Sequence, residues 1–215
     1  MKNGMKILSA CALVSTVGVA AMAEPIWPNN VGMPMRHVMI SLEDNAIGLH
    51  VDDADIATTL VRFPGETYNG AANVLEGKAY GDQYGWLADG FVDPGFGNGV
   101  SIELLSATDG LETYEGGMRP MKADHSYDAI FGTEGSSMVW DWDGTMTHNW
   151  YAAQDNGFYS ATYRVFVSDA NGDAVSGIAD AQITLNFNAV PAPGAVGVLA
   201  ISGLVATRRR RGGAS

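Results

Sequence analysis

Oxygen-bearing side chains at alternate positions form the first candidate site in the sequence. Asp169, Asn171 and Asp173 lie in the stretch Asp169-Ala170-Asn171-Gly172-Asp173. Calcium prefers such carboxylate and amide oxygens, although an EF-hand loop would need a glutamate where this chain has Asp180. The same residue types also form ordinary turns between strands. The sequence therefore favours a turn here, with calcium as the alternative, and the same choice applies to a second acidic cluster, Asp52-Asp53-Ala54-Asp55.

Four histidines could supply nitrogen ligands, but none has the spacing of a known zinc motif. A first hairpin is predicted from 36–42 and 47–51 around Asp44-Asn45, and it would let His37 and His50 meet across the strands. Met33, Met35 and Met39 lie nearby. Imidazole and thioether together would suit copper. The alternative, which we favour, is a set of core methionines beside surface histidines.

A second hairpin is predicted around Asp143-Gly144, because a two-residue Asp-Gly loop suits a type I′ turn. In that register Trp142 pairs with Thr145. Asp141 and His148 then lie diagonally across the hairpin, within reach of each other. Such a pair could act as acid and base or bind a metal, but a surface ion pair is the favoured interpretation.

Motifs for nucleophilic, phosphate or dinucleotide chemistry are missing from the sequence. It has no G-x-S-x-G, no phosphate loop and no dinucleotide fingerprint. We therefore predict a non-catalytic protein without a cofactor, and keep a secreted glycoside hydrolase that uses paired carboxylates as a remote alternative. Several aromatic residues could stack on a glycan, although such residues are more often core. They are Tyr80, Tyr84, Trp86, Trp140, Trp142, Trp150 and Tyr151.

The elements that must position these residues are predicted to be strands. Glycine turn pairs recur between short alternating or β-branched runs, which is typical of an all-β sandwich. The pairs are Pro64-Gly65, Asn69-Gly70, Pro94-Gly95, Asp109-Gly110, Asp143-Gly144 and Asn171-Gly172.

The stretch Asp155-Asn156-Gly157-Phe158-Tyr159, followed by alternating residues to Val167, resembles the tyrosine corner and strand F of immunoglobulin-like domains. The alternation from Ala181 to Phe187 looks like the closing strand G. The resemblance implies an immunoglobulin-like β-sandwich, elaborated because 24–188 exceeds the usual length of about 100 residues. We place the additional residues in the turn-rich stretch 64–133. A signal helix before the domain and a short transmembrane helix after it complete the predicted fold.

Charge argues against nucleic acid as a partner. All 24 acidic residues lie within 24–190, together with only six of the 12 basic residues, so this part of the chain carries a net charge of −18. Nucleic-acid binding needs clustered Lys and Arg against phosphates. The acidic composition favours solubility, with binding of divalent cations as the alternative.

The N-terminal residues have the pattern of a secretory signal peptide. Lys2 and Lys6 precede an almost wholly apolar run to Met22, and Ala21-Met22-Ala23 is an A-x-A cleavage site. An N-terminal membrane anchor and lipidation at Cys11 are the less favoured alternatives. Because Cys11 is the only cysteine, cleavage after Ala23 would leave an exported domain, 24–188, that has neither disulfide bonds nor thiol chemistry.

The C-terminal residues have three parts in order. A proline-rich linker, 189–194, contains Pro191-Ala192-Pro193; an apolar segment, 195–207, follows; and the basic tail, 208–215, begins with Arg208, Arg209, Arg210 and Arg211. Arginines behind a short span favour a cytoplasmic stop. This layout resembles the PEP-CTERM sorting domain, although Ala192 stands where that family has glutamate. The less favoured alternative is an ordinary tail anchor.

The resemblance implies processing by an exosortase-like enzyme and association with extracellular polysaccharide. The chain is accordingly predicted to be an exported protein at the cell surface or in the extracellular matrix, bound to the membrane at least transiently through its C-terminal segment, with a structural or adhesive role. The alternative is a binding module for a glycan or for a divalent metal, calcium or copper.

Overall fold

The computed structural model describes residues 24–29, 34–52 and 56–191. These residues form an all-β structure, as the sequence predicts. The strands in them are β1 (Arg36–Glu43), β2 (Ala46–Val51), β3 (Thr58–Arg62), β4 (Ala79–Gly81), β5 (Tyr84–Ala88), β6 (Gly99–Ala107), β7 (Leu111–Gly117), β8 (Ala129–Ile130), β9 (Val139–Trp142), β10 (Thr147–Ala153), β11 (Gly157–Ser168) and β12 (Ala181–Val190). Short 3₁₀ helices span Gly70–Leu75, Lys122–Asp124 and Thr133–Gly135.

The described strands join into one sheet with the order β2-β1-β5-β10-β4-β3-β12-β11-β6-β9. Strand β7 branches from β10, and β8 pairs with β7. Most neighbours are antiparallel, but β1 with β5 and β12 with β3 are parallel. The sheet therefore places strands that are far apart in the sequence next to each other.

The two halves of this sheet face each other across the main core. Trp86 of β5 meets Tyr163 of β11 with ring centroids 5.6 Å apart, and Tyr84 meets Phe187 of β12 at 5.5 Å. These four aromatic side chains are fully buried. Edge-to-face packing of this kind adds stability beyond the burial of apolar area.

A second cluster covers the opposite face of β10 and its neighbours. Trp150 lies at its centre, and the 3₁₀ helix Gly70–Leu75 contributes Ala72 and Leu75. Residues of β10 alternate between the two clusters, with Tyr151 in the main core and Trp150 in the second. Because both faces of β10 are covered, all seven of its residues are buried.

The first hairpin is confirmed. β1 and β2 pair from Val38 opposite Val51 to Glu43 opposite Ala46. The turn residues Asp44 and Asn45 have φ of 51° and 58°. Positive φ at both positions is the requirement of a type I′ turn, whose twist matches the flanking strands.

The predicted strands around Tyr159 and Leu185 are also confirmed. β11 and β12 pair antiparallel from Gly157 opposite Ala189 to Val165 opposite Ala181. Tyr159 donates its hydroxyl hydrogen to the carbonyl of Asp155 at 3.0 Å. This hydrogen bond ties β11 to the loop that precedes it.

The predicted hairpin around Asp143-Gly144 is wrong. β9 pairs with β6, placing Trp142 opposite Val100, whereas β10 pairs with β4, β5 and β7. Gly144 has φ 84°, but Asp143 has no positive φ, so the turn is not type I′. Instead, the Thr145 N–H donates to Asp143 Oδ1 at 2.8 Å. A turn does form at Asp143-Gly144, but the strands that it connects, β9 and β10, pair with different strands of the sheet and not with each other.

The stretch 64–133 is not an insertion outside the sheet. It contributes β4, β5, β6, β7 and β8. β6 pairs with β11 along eight positions, from Ala161 opposite Ala107 to Ser168 opposite Gly99, and β5 lies between β1 and β10. The glycine turns that made this stretch look loop-rich connect short strands that are integral to the sheet. Within the described ranges, none of the helices has the length and apolar character needed to cross a membrane.

Candidate functional site

A row of polar and small residues crosses four neighbouring strands on the face of the sheet opposite the main core. In β1, His37 lies opposite Gly85 of β5, and Gly85 lies opposite His148 of β10. At the other end, Asp52 follows β2 and donates its backbone N–H to the carbonyl of His37. We call Asp52, His37, Gly85 and His148 the histidine row.

Gly85 provides the space that this arrangement needs. A Cβ atom at this position would lie 2.5 Å from His148 Nε2 and 2.6 Å from Cε1, closer than real contacts allow. His148 therefore lies over the backbone of Gly85 and reaches towards β1. Its ring centroid is 5.7 Å from that of His37, and the two rings are inclined at 74°.

His148 is a fully buried imidazole. Burial lowers its pKa, and the nearby Asp82 carbonyl and carboxylate offset this only in part. Its Nδ1 lies 2.8 Å from the carbonyl oxygen of Asp82. Because a carbonyl only accepts, Nδ1 carries the proton and donates it, which leaves a lone pair on Nε2. Among the described residues, that Nε2 atom has no hydrogen-bond partner.

His37 has a similar arrangement. Its Nδ1 lies 3.6 Å from Asp52 Oδ2, and its Nε2 is buried without a partner in the described part of the chain. His50 is more exposed and lies opposite Met39, with its Nε2 4.0 Å from Asp52 Oδ1. His37 and His50 thus each lie near Asp52, and a direct meeting of the two imidazoles stays a prediction.

Asp82 links the histidine row to a groove at the surface. Its carboxylate accepts a hydrogen bond from Arg119 Nε at 3.2 Å, and Asp82 is 1% exposed. Arg119 also lines a groove of about 420 Å³, with Asn29, Met35, Pro120 and Lys122. Burial lowers the pKa of Lys122, and the Asp82 carboxylate opposes that shift.

His125 has a different role. It lies over Gly117, and its Nδ1 accepts the Trp150 indole N–H at 2.9 Å. Its other nitrogen, Nε2, must then carry the proton, and it lies 3.0 Å from the carbonyl oxygen of Met118. Both ring nitrogens therefore have a partner, and His125 links Trp150 of the second cluster to the backbone of Met118.

The candidate calcium loop is organised by its own hydrogen bonds. Asp169 Oδ1 accepts the backbone N–H groups of Asn171 at 2.8 Å and Asp173 at 3.0 Å. These hydrogen bonds lower the pKa of Asp169. The turn interpretation accounts for this geometry, and calcium binding stays a prediction. Across the described residues, no group of three or more His, Cys, Asp and Glu side chains lies where it could hold a metal ion. Of the second acidic cluster, Asp53 and Asp55 lie outside the described residues, as does Met33.

The predicted pair of Asp141 and His148 is wrong, because the hairpin that would join them does not form. Asp141 accepts a hydrogen bond from Ser101 Oγ at 2.7 Å, which joins β9 to β6. His148 instead contacts Asp82 and His37.

The aromatic residues considered for glycan stacking are mainly core residues. Trp86 and Trp150 are fully buried, and Trp142 is 4% exposed. Tyr80, Tyr84 and Tyr151 are buried as well, and Trp140 is half-buried, with its indole N–H donated to Glu115 at 2.8 Å. These side chains stabilise the two clusters and do not form an exposed platform.

Two members of the site were missed by sequence reasoning. Gly85 and Asp82 were not predicted, and no motif in the local sequence marks Asp82. The available signal was the small residue in Tyr84-Gly85-Trp86, where glycine interrupts an aromatic strand, since an isolated strand glycine often marks a close approach.

The predicted sorting residues lie almost entirely outside the described residues. Ala21 and Ala23 of the cleavage site do so, as do Ala192, Pro193 and Arg208 to Arg211. Pro191 is described, and it follows directly after β12. A scan against protein-family models found no match, and a search of curated proteins found no relative.

Proposed function

We propose that this chain is an exported, non-catalytic protein held at the cell surface or in the extracellular matrix through its C-terminal segment. Its role is structural or adhesive. The N-terminal residues to Ala23 act as a signal peptide, and the residues from Pro191 onward act as a sorting signal of the PEP-CTERM type. The partners are an exosortase-like processing enzyme, the membrane and extracellular polysaccharide.

One observation supports this proposal: β12 ends directly before the residues to which we assign the sorting signal. β12 ends at Val190, and Pro191 is the next residue. β12 pairs with β3 on one side and β11 on the other, so it needs no residue beyond Val190 to complete its place in the sheet. A tail beginning there is available to a membrane or to a protease without disturbing the fold.

We infer further that the domain is an elaborated immunoglobulin-like sandwich. The antiparallel pair β11 and β12 matches strands F and G, and the Tyr159 hydrogen bond matches the tyrosine corner. The single continuous sheet and the parallel pairs are elaborations of that plan. Such a domain presents loops at its ends while its aromatic residues stabilise the interior, which suits an adhesive role.

Mass spectrometry of the cell-associated protein from its native host tests the proposal. We expect the mature chain to start at Glu24 and to end near Pro191, without Arg208 to Arg211. A surface-exposed protein that still carries Arg211 would contradict the proposed processing step.

A matched pair of proline variants sharpens this experiment. Replacing both prolines of the motif, Pro191→Ala with Pro193→Ala, should preserve the uncleaved tail and keep the chain in the membrane fraction. Pro120→Ala, in the folded domain, should be processed like the wild type. Equal processing of the two variants would show that the proline motif is not recognised.

A further inference from the structure

We propose that His37 and His148 form a binding site for one divalent transition-metal ion of the zinc and copper class. The two residues belong to β1 and β10, and β5 lies between these strands. The site is independent of the proposed sorting signal and of the candidate calcium loop.

The first argument is that two neighbouring imidazole rings each carry a nitrogen without a partner in the described part of the chain. Nε2 of His37 and Nε2 of His148 are both buried, and within the described ranges neither has a hydrogen-bond partner. Buried polar atoms in folded proteins are nearly always satisfied. Two unsatisfied imidazole nitrogens on rings 5.7 Å apart therefore point to a shared ligand.

The second argument is that the Nδ1 atom of each ring faces an oxygen atom. His148 donates Nδ1–H to the Asp82 carbonyl, and the Nδ1 of His37 faces the Asp52 carboxylate. Metal-binding histidines usually make this kind of contact, which fixes the tautomer and leaves Nε2 to bind the ion. Asp82 is itself held by Arg119, so the support extends beyond the first contact.

The third argument is the space above Gly85. The absence of a side chain there lets His148 approach β1 across β5. Metal–nitrogen bonds to histidine are about 2.0–2.1 Å long. Rings as close as these two can share one ion after small side-chain rotations.

The donor types select the class of ion. Neutral imidazole suits zinc, copper and nickel, whereas calcium and magnesium prefer oxygen. His50 is exposed and lies diagonally across the hairpin from His37, so its side chain would need a different rotamer to offer a third nitrogen. Water completes the coordination. The site is thus built on two buried histidines, with His50 as the candidate third ligand.

Titration of the metal salts into the full-length protein tests this site. The protein carries no polyhistidine tag, is stripped with a chelator, and is titrated in separate experiments with Zn²⁺ and Cu²⁺ by isothermal titration calorimetry. We expect one ion per chain, and the two titrations show which metal binds more tightly. His37→Gln should weaken binding at least about tenfold, since even loss of a supporting contact commonly costs that much.

His125→Gln is the matched control, because both nitrogens of His125 already have partners. Its affinity should equal that of the wild type. The proposal is overturned if the wild type binds neither ion, or if the His37 and His125 variants bind equally well. X-ray absorption of the loaded wild type gives a readout that needs no variant: two or three imidazole ligands support the site, and none or one excludes it.

Discussion

At the scale of single residues, Gly85 determines how the outer face of the sheet is filled. Its neighbours across the strands are His37 and His148, and the His148 ring occupies the position that a side chain would take. A strand glycine normally weakens a sheet because it has nothing to pack. Here the cost is offset by a buried aromatic ring lying over the backbone.

Adding a methyl group at position 85 should therefore destabilise the protein. We expect Gly85→Ala to lower the free energy of unfolding by about 1–3 kcal/mol, because overpacking forces the His148 ring away from its place. Urea unfolding followed by fluorescence measures the change.

The matched control is Gly99→Ala, also in a strand, where a Cβ would meet Ser168 Oγ at an ordinary 3.7 Å. This variant should keep a stability near that of the wild type. Equal losses in the two variants would mean that contact with His148 is not the cause.

The candidate site could be predicted only in part from the sequence. His37 and His50 were placed near each other because a local hairpin joins them, and hairpin turns leave local signals. His148 was assigned to Asp141, since the order of distant strands cannot be derived from turn chemistry. Asp82 contributes a backbone carbonyl, which any residue has, so no sequence pattern could have identified it.

At the scale of elements, the turn between β1 and β2 sets the register that places Asp52 beside His37. Both central residues, Asp44 and Asn45, have the left-handed backbone conformation. Asp and Asn tolerate that conformation better than other residues with a side chain, whereas β-branched residues do not.

Two replacements of Asn45, by valine and by glycine, should therefore change the stability of the protein in different ways. We expect Asn45→Val to lower the free energy of unfolding by about 1–2 kcal/mol, the cost of forcing a left-handed conformation. Asn45→Gly should be tolerated or slightly stabilising. Urea unfolding of both variants gives the comparison, and a valine variant as stable as the glycine variant would contradict the type I′ geometry.

Strand pairing could be predicted where apolar and polar residues alternate over a long stretch. It could not be predicted where the pairing strands are far apart in the sequence. β11 and β12 alternate over many residues, and only one face of β12 is buried, so their existence and pairing could be predicted. The sequence between β9 and β10 is typical of a hairpin turn, but β9 pairs with β6, and β10 pairs with β7. β10 is buried on both faces, so no alternation marks which neighbour it prefers.

At the scale of the whole molecule, acidic charge dominates the surface. Residues 24–190 carry −18, with Arg36, Arg62, Lys78, Arg119, Lys122 and Arg164 as their basic residues. Lys78 pairs with Glu112, and Arg164 pairs with Glu103 and Asp180. Most carboxylates therefore repel one another in the folded state. Such repulsion favours solubility and opposes compactness.

Salt should accordingly stabilise the domain. We expect the melting temperature to rise as NaCl increases from about 0.01 M to about 1 M, because the screening length falls from about 30 Å to about 3 Å. Differential scanning calorimetry measures the shift. KCl should have the same effect if screening is responsible, and a flat or falling melting temperature would contradict this explanation.

If the C-terminal segment is a tether, as we propose, the place of β12 has a mechanical consequence. A pulling force transmitted through Pro191 enters the domain at Val190 and runs along β12. The strand is hydrogen-bonded to β11 on one side and to β3 on the other, from Phe187 opposite Thr58 to Val190 opposite Val61. The load is therefore shared in shear by two ladders at once, and the tether cannot peel the strand from an edge one bond at a time.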